Sequence, residues 1–312
     1  MAPRIGYLLP TREQVMSGRP ETGPMLALAE RAESLGYDSL WVGDSITARP
    51  RHEPITLLAA VAARTKKPEL GTAVLLPALR NPVVLAHQIA TLDQISEGRF
   101  ILGVGIASDV PNIRSEFVAC GVPFEHRVGR MLEGLRLMRA LWTGDKVNWN
   151  GRWVVDNGSV GPVPYRAGGP PIWIGGMVKA AIERTGKFFD GWFPNGPAAP
   201  RWGDNWREVQ GFARAAGRDP SQLVGAIYLT LTIDDDTSRA DHRMNAYLEN
   251  YYGRPASEMR ARQSTYAGPA SGAADYLAAY AEAGASHIML RFAGDHERHL
   301  EVGAQIRQRL GW

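Results

Sequence analysis

The chain has 312 residues, 45% of them hydrophobic, with 35 Lys and Arg against 32 Asp and Glu and a formal charge of +3. That charge is too small for a nucleic-acid surface, and no basic cluster interleaved with aromatics occurs, so small molecules are the expected partners. The single cysteine, Cys120, excludes an internal disulfide, no apolar run reaches the roughly 20 residues that span a bilayer, and Met1-Ala2-Pro3-Arg4 leads straight into a strand-like run; a soluble, cytoplasmic chain is expected.

Strand-like and helical runs then alternate. Ile5 to Leu9 predicts a strand, and Gly23 to Leu35 a helix whose apolar stripe is Met25, Leu26, Leu28, Ala29, Ala32 and Leu35, stopped by Gly36. Ser39 to Val42 is the next strand, ending in Gly43-Asp44-Ser45, and Pro54 to Arg64 is a helix with proline at a favourable first position. Leu70 to Leu76 and Phe100 to Val104 read as buried strands on either side of a helix from Pro82 to Ile95. Arg127 to Trp142 predicts a long helix, and Val147 to Val155 a hairpin turning at Asn150-Gly151. The alternation resumes with strand Pro171 to Ile174, helix Val178 to Phe188, strand Gly191 to Phe193, helix Asn205 to Ala216 and strand Leu223 to Ile233. Helices Arg239 to Tyr251 and Ala273 to Ala283 and strand His287 to Phe292 complete it.

This rhythm predicts an α/β chain of one domain over residues 1–312, a (β/α)8 TIM barrel with insertions at its C-terminal mouth. The insertions would be Ala107 to Glu125, Asn148 to Gly169 and Gly253 to Gly272. An open doubly wound sheet is the competing architecture. Against it, Pro10-Thr11-Arg12-Glu13 after the first strand holds no G-x-G-x-x-G, and Gly103-Val104-Gly105 has no third glycine.

Chemistry in parallel α/β folds gathers at the carboxyl ends of the strands. Pro171 to Met177 reads as strand, glycine turn and helix start, so the backbone N–H groups of Gly175, Gly176 and Met177 suit a phosphate; an ordinary βα turn is the alternative. Asp44 can hydrogen-bond a flavin or substrate, or cap its own turn. Arg291 ends the last strand at the mouth, where it can bind an anionic substrate or stabilise a peroxide-type oxyanion, or form a salt bridge within the barrel. His287 begins that strand at the opposite, structural end. His52 lies on a mouth loop, while His87, His242, His296 and His299 read as packing or solvated positions. No H-E-x-x-H spacing occurs, and no metal site is predicted.

Gly71-Thr72-Ala73-Val74-Leu75-Leu76-Pro77, Asn81-Pro82, Leu92-Asp93, Ser96-Glu97-Gly98-Arg99 and Leu102-Gly103-Val104-Gly105 resemble the central signature of the luciferase-like monooxygenases, the bacterial luciferase and F420-dependent oxidoreductase superfamily. Gly121-Val122-Pro123-Phe124, Leu141-Trp142, Pro171 to Gly176 and Asp190-Gly191-Trp192 continue the resemblance in order, over most of the chain and most weakly between Arg201 and Gly268. It implies a (β/α)8 barrel that binds reduced FMN or the deazaflavin coenzyme F420. It places a non-prolyl cis peptide at Ala73-Val74 behind the ring, and Gly105, Gly175, Gly176 and Met177 at the cofactor. From the residues alone, a plain buried strand entering the Pro77 turn remains the alternative at Ala73-Val74.

Two departures limit the mechanism. Many FMN-using members carry an arginine after the fourth strand; here Val104-Gly105-Ile106-Ala107 stands there, which shifts phosphate support to Arg201. Deazaflavin-dependent sugar-phosphate dehydrogenases carry an Asp-His pair after strand two and a glutamate after strand four, where this chain has Asp44-Ser45 and Ser108. A serine does not donate a proton unaided near neutral pH. Asp44, Ser108 and Arg291 are the candidate catalytic positions. The resemblance implies that reduced FMN, supplied by a partner reductase, reacts with oxygen to oxygenate a small organic substrate in a homodimeric enzyme. Two alternatives stand beside it: hydride transfer with F420, for whose acidic tail Arg49, Arg51, Lys179 and Arg201 are available, and a non-catalytic flavin-binding paralogue.

Overall fold

The computed structural model describes residues 2–312. Its strands are β1 (Arg4–Leu8), β2 (Ser39–Val42), β3 (Glu69–Thr72), β4 (Phe100–Val104), β5 (Val147–Asn150), β6 (Val154–Gly158), β7 (Ile172–Ile174), β8 (Gly191–Trp192), β9 (Val224–Ile233), β10 (Thr265–Gly268) and β11 (His287–Phe292). Among the described residues, eight of these, β1, β2, β3, β4, β7, β8, β9 and β11, pair in parallel, and the β8–β9 pairing closes the ring. The predicted (β/α)8 barrel is therefore present. The helices are α1 (Thr11–Met16), α2 (Thr22–Ser34), α3 (Pro54–Arg64), α4 (Pro82–Ile95), α5 (Pro111–Ala119), α6 (Arg127–Leu141), α7 (Lys179–Phe188), α8 (Ala199–Ala215), α9 (Thr237–Tyr252), α10 (Ala256–Arg262), α11 (Ala270–Glu282) and α12 (His296–Arg309). None among the described residues is long and apolar enough to cross a membrane.

Strand alternation sets what each level of the barrel contains. Ser39, Trp41 and Gly43 follow one face of the chain at β2, and His287, Met289 and Arg291 one face of β11. Their neighbours Leu40, Val42, Ile288, Leu290 and Phe292 join the core under the helices. At the waist, Leu8, Trp41, Ile101, Trp173, Phe193 and Met289 fill the interior. The two indoles need glycines opposite them: a Cβ on Gly71 would lie 2.2 Å from the Trp41 ring, and one on Gly191 2.6 Å from that of Trp173.

At the floor, His287 Nε2 pairs with Ser39 Oγ at 2.7 Å, and Trp41 Nε1 donates to the same hydroxyl. Burial pushes the His287 imidazole down to about 3, with Arg4 adding to the effect. The unfolded histidine binds a proton near pH 6.5. The stabilising contribution is thus fully present above pH 6.5 and is lost progressively as the pH falls towards 3. Urea unfolding at pH 7 and pH 5 should therefore show about 2 kcal/mol more acid destabilisation in the native chain than in His287→Gln; equal losses would refute the assignment.

Several segments depart from the sequence expectation. β3 stops at Thr72 instead of Leu76, because a cis peptide at Ala73–Val74 turns the chain out of the ladder before Leu75 rejoins Val104. α8 starts at Ala199 rather than Asn205, with a proline in its first turn, which puts Arg201 on a helix. The hairpin turns through Gly151 to Trp153, not at a two-residue Asn-Gly turn, because the Glu133 carboxylate accepts the Arg152 N–H. The segment Asn148 to Gly169 does not cover the mouth. Its hairpin lies on α6, with Arg130 4.7 Å from the Trp153 ring, and Arg166 N–H bonds Asp93 at the foot of the barrel. Ala107 to Glu125, carrying α5, and Gly253 to Gly272, carrying α10 and β10, do lie at the mouth.

Candidate active site

The turn after β3 is tied to β4 by two backbone bonds, Leu75 N–H to Gly103 O at 2.8 Å and Gly105 N–H to Leu75 O at 2.9 Å. A Cβ on Gly105 would lie 2.4 Å from Val74 Cγ2, so only glycine lets Val74 fold back over the end of β4. Ala73 and Val74 thereby pack on the waist aromatics, as a shelf facing the mouth.

The phosphate cradle expected after β7 is smaller than predicted. Gly175 N–H is consumed by Val104 O at 3.2 Å, because parallel pairing continues one residue past Ile174, and it offers no donor. Gly176 adopts φ +126 and its carbonyl accepts from Trp192 Nε1 at 2.8 Å, which fixes the turn. The N–H groups of Met177, Lys179 and Ala180, at the start of α7, have no partner among the described residues. Beside them opens a cavity of about 510 Å³, bordered by Met177, Gly196, Arg201, Arg260, Arg262 and Gln263. Arg260 pairs with Asp241 and Arg262 with Glu258, whereas exposed Arg201 has no carboxylate partner among the described residues.

Asp44 is fully committed. Its side chain, 1% exposed, takes both guanidinium arms of Arg80, at 2.6 and 3.0 Å, and the Leu76 N–H at 2.9 Å. It clips the end of β2 to the turn after β3. Ser108 stands exposed just after Ala107, whose positive φ of 63 swings the chain outward. His52 pins the loop after β1 through the carbonyls of Thr11 and Pro20.

Arg291, 1% exposed, forms no salt bridge among the described residues. Its Nε and Nη2 donate to Thr230 Oγ1, Nη2 also to Gln263 Oε1 at 2.7 Å, and Nη1 to the Tyr252 hydroxyl at 2.9 Å. The rings of Tyr228, Tyr247, Tyr251 and Tyr252 surround it at 5.0 to 5.6 Å. Burial opposes its charge, and these tyrosines more than offset that, so its pKa stands well above the ordinary guanidinium value. Tyr228 is half-buried, stacks on Phe193 and makes no side-chain hydrogen bond among the described residues.

Sequence reasoning missed Glu116, Arg80, Gln263 and the tyrosines of α9. One Glu116 oxygen accepts Ser45 Oγ at 2.8 Å and the N–H groups of Ile46, Thr47 and Ala48 at 2.5 to 3.1 Å, fastening the loop after β2 to α5. A carboxylate flanked by Ile113 and Phe117 on a buried helix face was its only visible signal.

The profile of the family described as luciferase-like monooxygenase matches residues 3–311. A 5,10-methylenetetrahydromethanopterin reductase from Methanolobus tindarius is 30% identical over 212 residues, 68% of this chain and 62% of the reductase, so the chain spans about three fifths of that relative. An F420-dependent glucose-6-phosphate dehydrogenase from Nocardia farcinica is 29% identical over 306 residues, covering 89% of this chain and 90% of the relative. The same architecture occurs in an F420-dependent secondary alcohol dehydrogenase bound to an F420-acetone adduct (TM-score 0.84, 21% identity, 99% of both chains). It also occurs in the monooxygenase RslO1 from Streptomyces bottropensis (TM-score 0.84, 21% identity, 99% of this chain and 100% of that one).

Proposed function

Because this chain belongs to the luciferase-like monooxygenase family, a family of oxidoreductases, we propose that it moves a hydride between a small organic substrate and coenzyme F420 at the barrel mouth. The observation that carries this reading is the cavity beside the unpaired N–H groups of α7: an arginine-bordered space adjoining a helix N-terminus suits a phosphate followed by an acidic chain. The sequence favoured reduced FMN; the long alignment to an F420-dependent relative moves the preference. The residues present fit the group, since the unpaired N–H groups of Met177, Lys179 and Ala180 border a cavity that Arg201 also lines.

When bound, the deazaflavin supplies hydride donor and acceptor chemistry. The shelf of Ala73 and Val74 backs the ring. Met177, Lys179 and Ala180 N–H groups hold the phosphate, and Arg201 the acidic chain. Tyr228 holds a proton at the substrate oxygen: burial keeps its hydroxyl protonated well above the ordinary tyrosine range. Asp44 serves as a positioning residue through Arg80, and Arg291 orders the tyrosines that exclude water. A separate reductase would regenerate the cofactor.

The second reading is oxygenation with reduced FMN. It is favoured by the commitment of Asp44 to Arg80 and the exposure of Ser108, which leave no carboxylate free for acid-base work at those positions. Fluorescence titration with F420, FMN and reduced FMN, each followed by a substrate panel, decides. Micromolar binding and turnover of F420 support the first reading, oxygen uptake with reduced FMN the second, and binding without turnover a non-catalytic paralogue. Binding of none overturns the cradle. Arg201→Gln should weaken F420 about tenfold and FMN less than about threefold, since one charge-assisted contact is worth about 1.4 kcal/mol.

A further inference from the structure

The loop after β2 carries two guanidiniums, those of Arg49 and Arg51, that have no carboxylate partner among the described residues. The Arg49 side chain makes no hydrogen bond among the described residues, although its backbone N–H donates to Ser45 Oγ; its Nε is buried and unpaired, and its guanidinium lies 5.1 Å from the centroid of the Tyr252 ring. Arg51 donates Nε to the Arg49 carbonyl at 3.2 Å and sits 5.8 Å from the Tyr251 ring. A Cβ placed on Gly43 would lie 2.2 Å from Arg51 Nη1 and 3.7 Å from the Ala73 carbonyl oxygen, so this guanidinium and the Ala73 carbonyl both border the end of β2, beside the shelf assigned to the ring.

The charge around them does not balance. Arg12 lies 5.1 Å from the same Tyr251 ring and donates to the Tyr251 carbonyl, and Arg291 borders the cluster from β11. The carboxylate charge that acts on Arg12 and Arg51 is that of Glu13, which also accepts the Tyr247 hydroxyl at 2.5 Å. Burial lowers the Arg12 pKa, and the charges of Arg51 and Arg49 add to that effect. For Arg51, burial is outweighed by Tyr251 and Glu13, so the group stays cationic. Arg80 and Arg239, elsewhere in the chain, each face a carboxylate at close range. Uncompensated guanidiniums in a half-buried, aromatic-walled space are what an anionic ligand completes. Arg291 is not its holder, because its donors are already taken by Thr230, Tyr252 and Gln263. The remaining capacity lies with Arg49 and Arg51, and the buried, unpaired Gln263 Nε2 belongs to the same network.

We propose that Arg49 and Arg51, walled by Tyr251 and Tyr252, form a subsite for an oxyanion carried by the substrate, a carboxylate or phosphate, positioned beside the ring shelf of Ala73 and Val74. The subsite rests on the reading of the mouth as the cofactor site, and it makes the loop after β2 the element that selects the substrate. Glu116 is its positioning residue, since it fixes the loop from which both arginines project.

The test is equilibrium titration of the full chain, without cofactor, by inorganic phosphate and by malonate at constant ionic strength, read by calorimetry and thermal shift. Both anions should bind the native chain, with a component that weakens at least tenfold in Arg51→Gln and in Arg49→Gln and persists in Arg201→Gln, which removes only what binds beside α7; Arg51→Lys should retain part of that component. Equal binding by Arg51→Gln and Arg49→Gln overturns the subsite. Loss of all anion binding in Arg201→Gln also overturns it, by assigning the ion to the cavity beside α7. Circular dichroism checks each variant, and if Arg51→Gln does not fold, Arg49→Gln decides. Repeating the titration with F420 or FMN already loaded separates the sources: persistence supports a substrate group, and loss means that the cofactor's own acidic groups fill the pocket. A chain that binds the anions but neither cofactor leaves the subsite standing and overturns only the proposed function.

Discussion

Arg291→Met should lower the unfolding free energy by about 3 kcal/mol, measured by urea denaturation of the full chain at pH 7. The substitution keeps much of the side chain's length and removes the fork. Thr230 Oγ1, Tyr252 Oη and Gln263 Oε1 then lose a charged donor, each at a cost of about 1 to 3 kcal/mol if it stays dry. Four aromatic rings lose their cation. Working the other way, a buried guanidinium is itself costly, and the variant is relieved of that desolvation, which is why the expected loss is well below the sum of its parts. Arg291→Lys should fall between, because an ammonium keeps the charge but cannot serve three acceptors in one plane. A loss under about 1 kcal/mol for Arg291→Met would mean that the tyrosines and Gln263 satisfy one another without the arginine.

Gly176→Val should weaken cofactor binding about a hundredfold, close to 2.7 kcal/mol, with little change in the melting temperature. At φ +126 a β-branched residue is strained, and its Cβ would meet that of Ala181 at 2.9 Å. The turn would relax towards negative φ and swing the Met177 N–H away from the first turn of α7. The fold should survive because Gly176 is not in a strand or helix and is half-exposed. Titration with F420 and with FMN measures the effect, and an affinity within threefold of the native chain would show that the phosphate is held elsewhere.

The barrel was readable because its causes are local: short apolar strands, amphipathic helices and proline or Asn starts such as Asn81-Pro82, whose side chain caps α4. The shelf at Ala73–Val74 was readable only through family resemblance, since nothing in a Thr-Ala-Val run distinguishes a turn from two more strand residues. Gly175 illustrates a different limit. Its place after β7 was right, but whether an N–H is free depends on how far the neighbouring strand runs, and Val104 takes it. Asp44 reads in the sequence as a ligand contact or a turn cap because its partner, Arg80, is brought to it only by the packing of β2 beside β3. The aromatic walls around Arg291 escaped notice for the same reason: α9 reads as an ordinary amphipathic helix until its last turn meets β11.

The oxyanion pocket joins opposite ends of the chain. Arg12 reaches Tyr251 across 239 positions, and Tyr247 reaches Glu13 across 234, because both contacts cross the seam where β11 meets β1. Neither half of the polypeptide holds the pocket by itself, whereas the shelf and the turn after β7 arise from neighbouring strands in the middle of the chain. Closing contacts of such separation costs the chain more loop entropy than pairing neighbouring strands does. The crowding of guanidiniums exists only where that seam is closed, so an anion bound there would favour the closed ring over the open one.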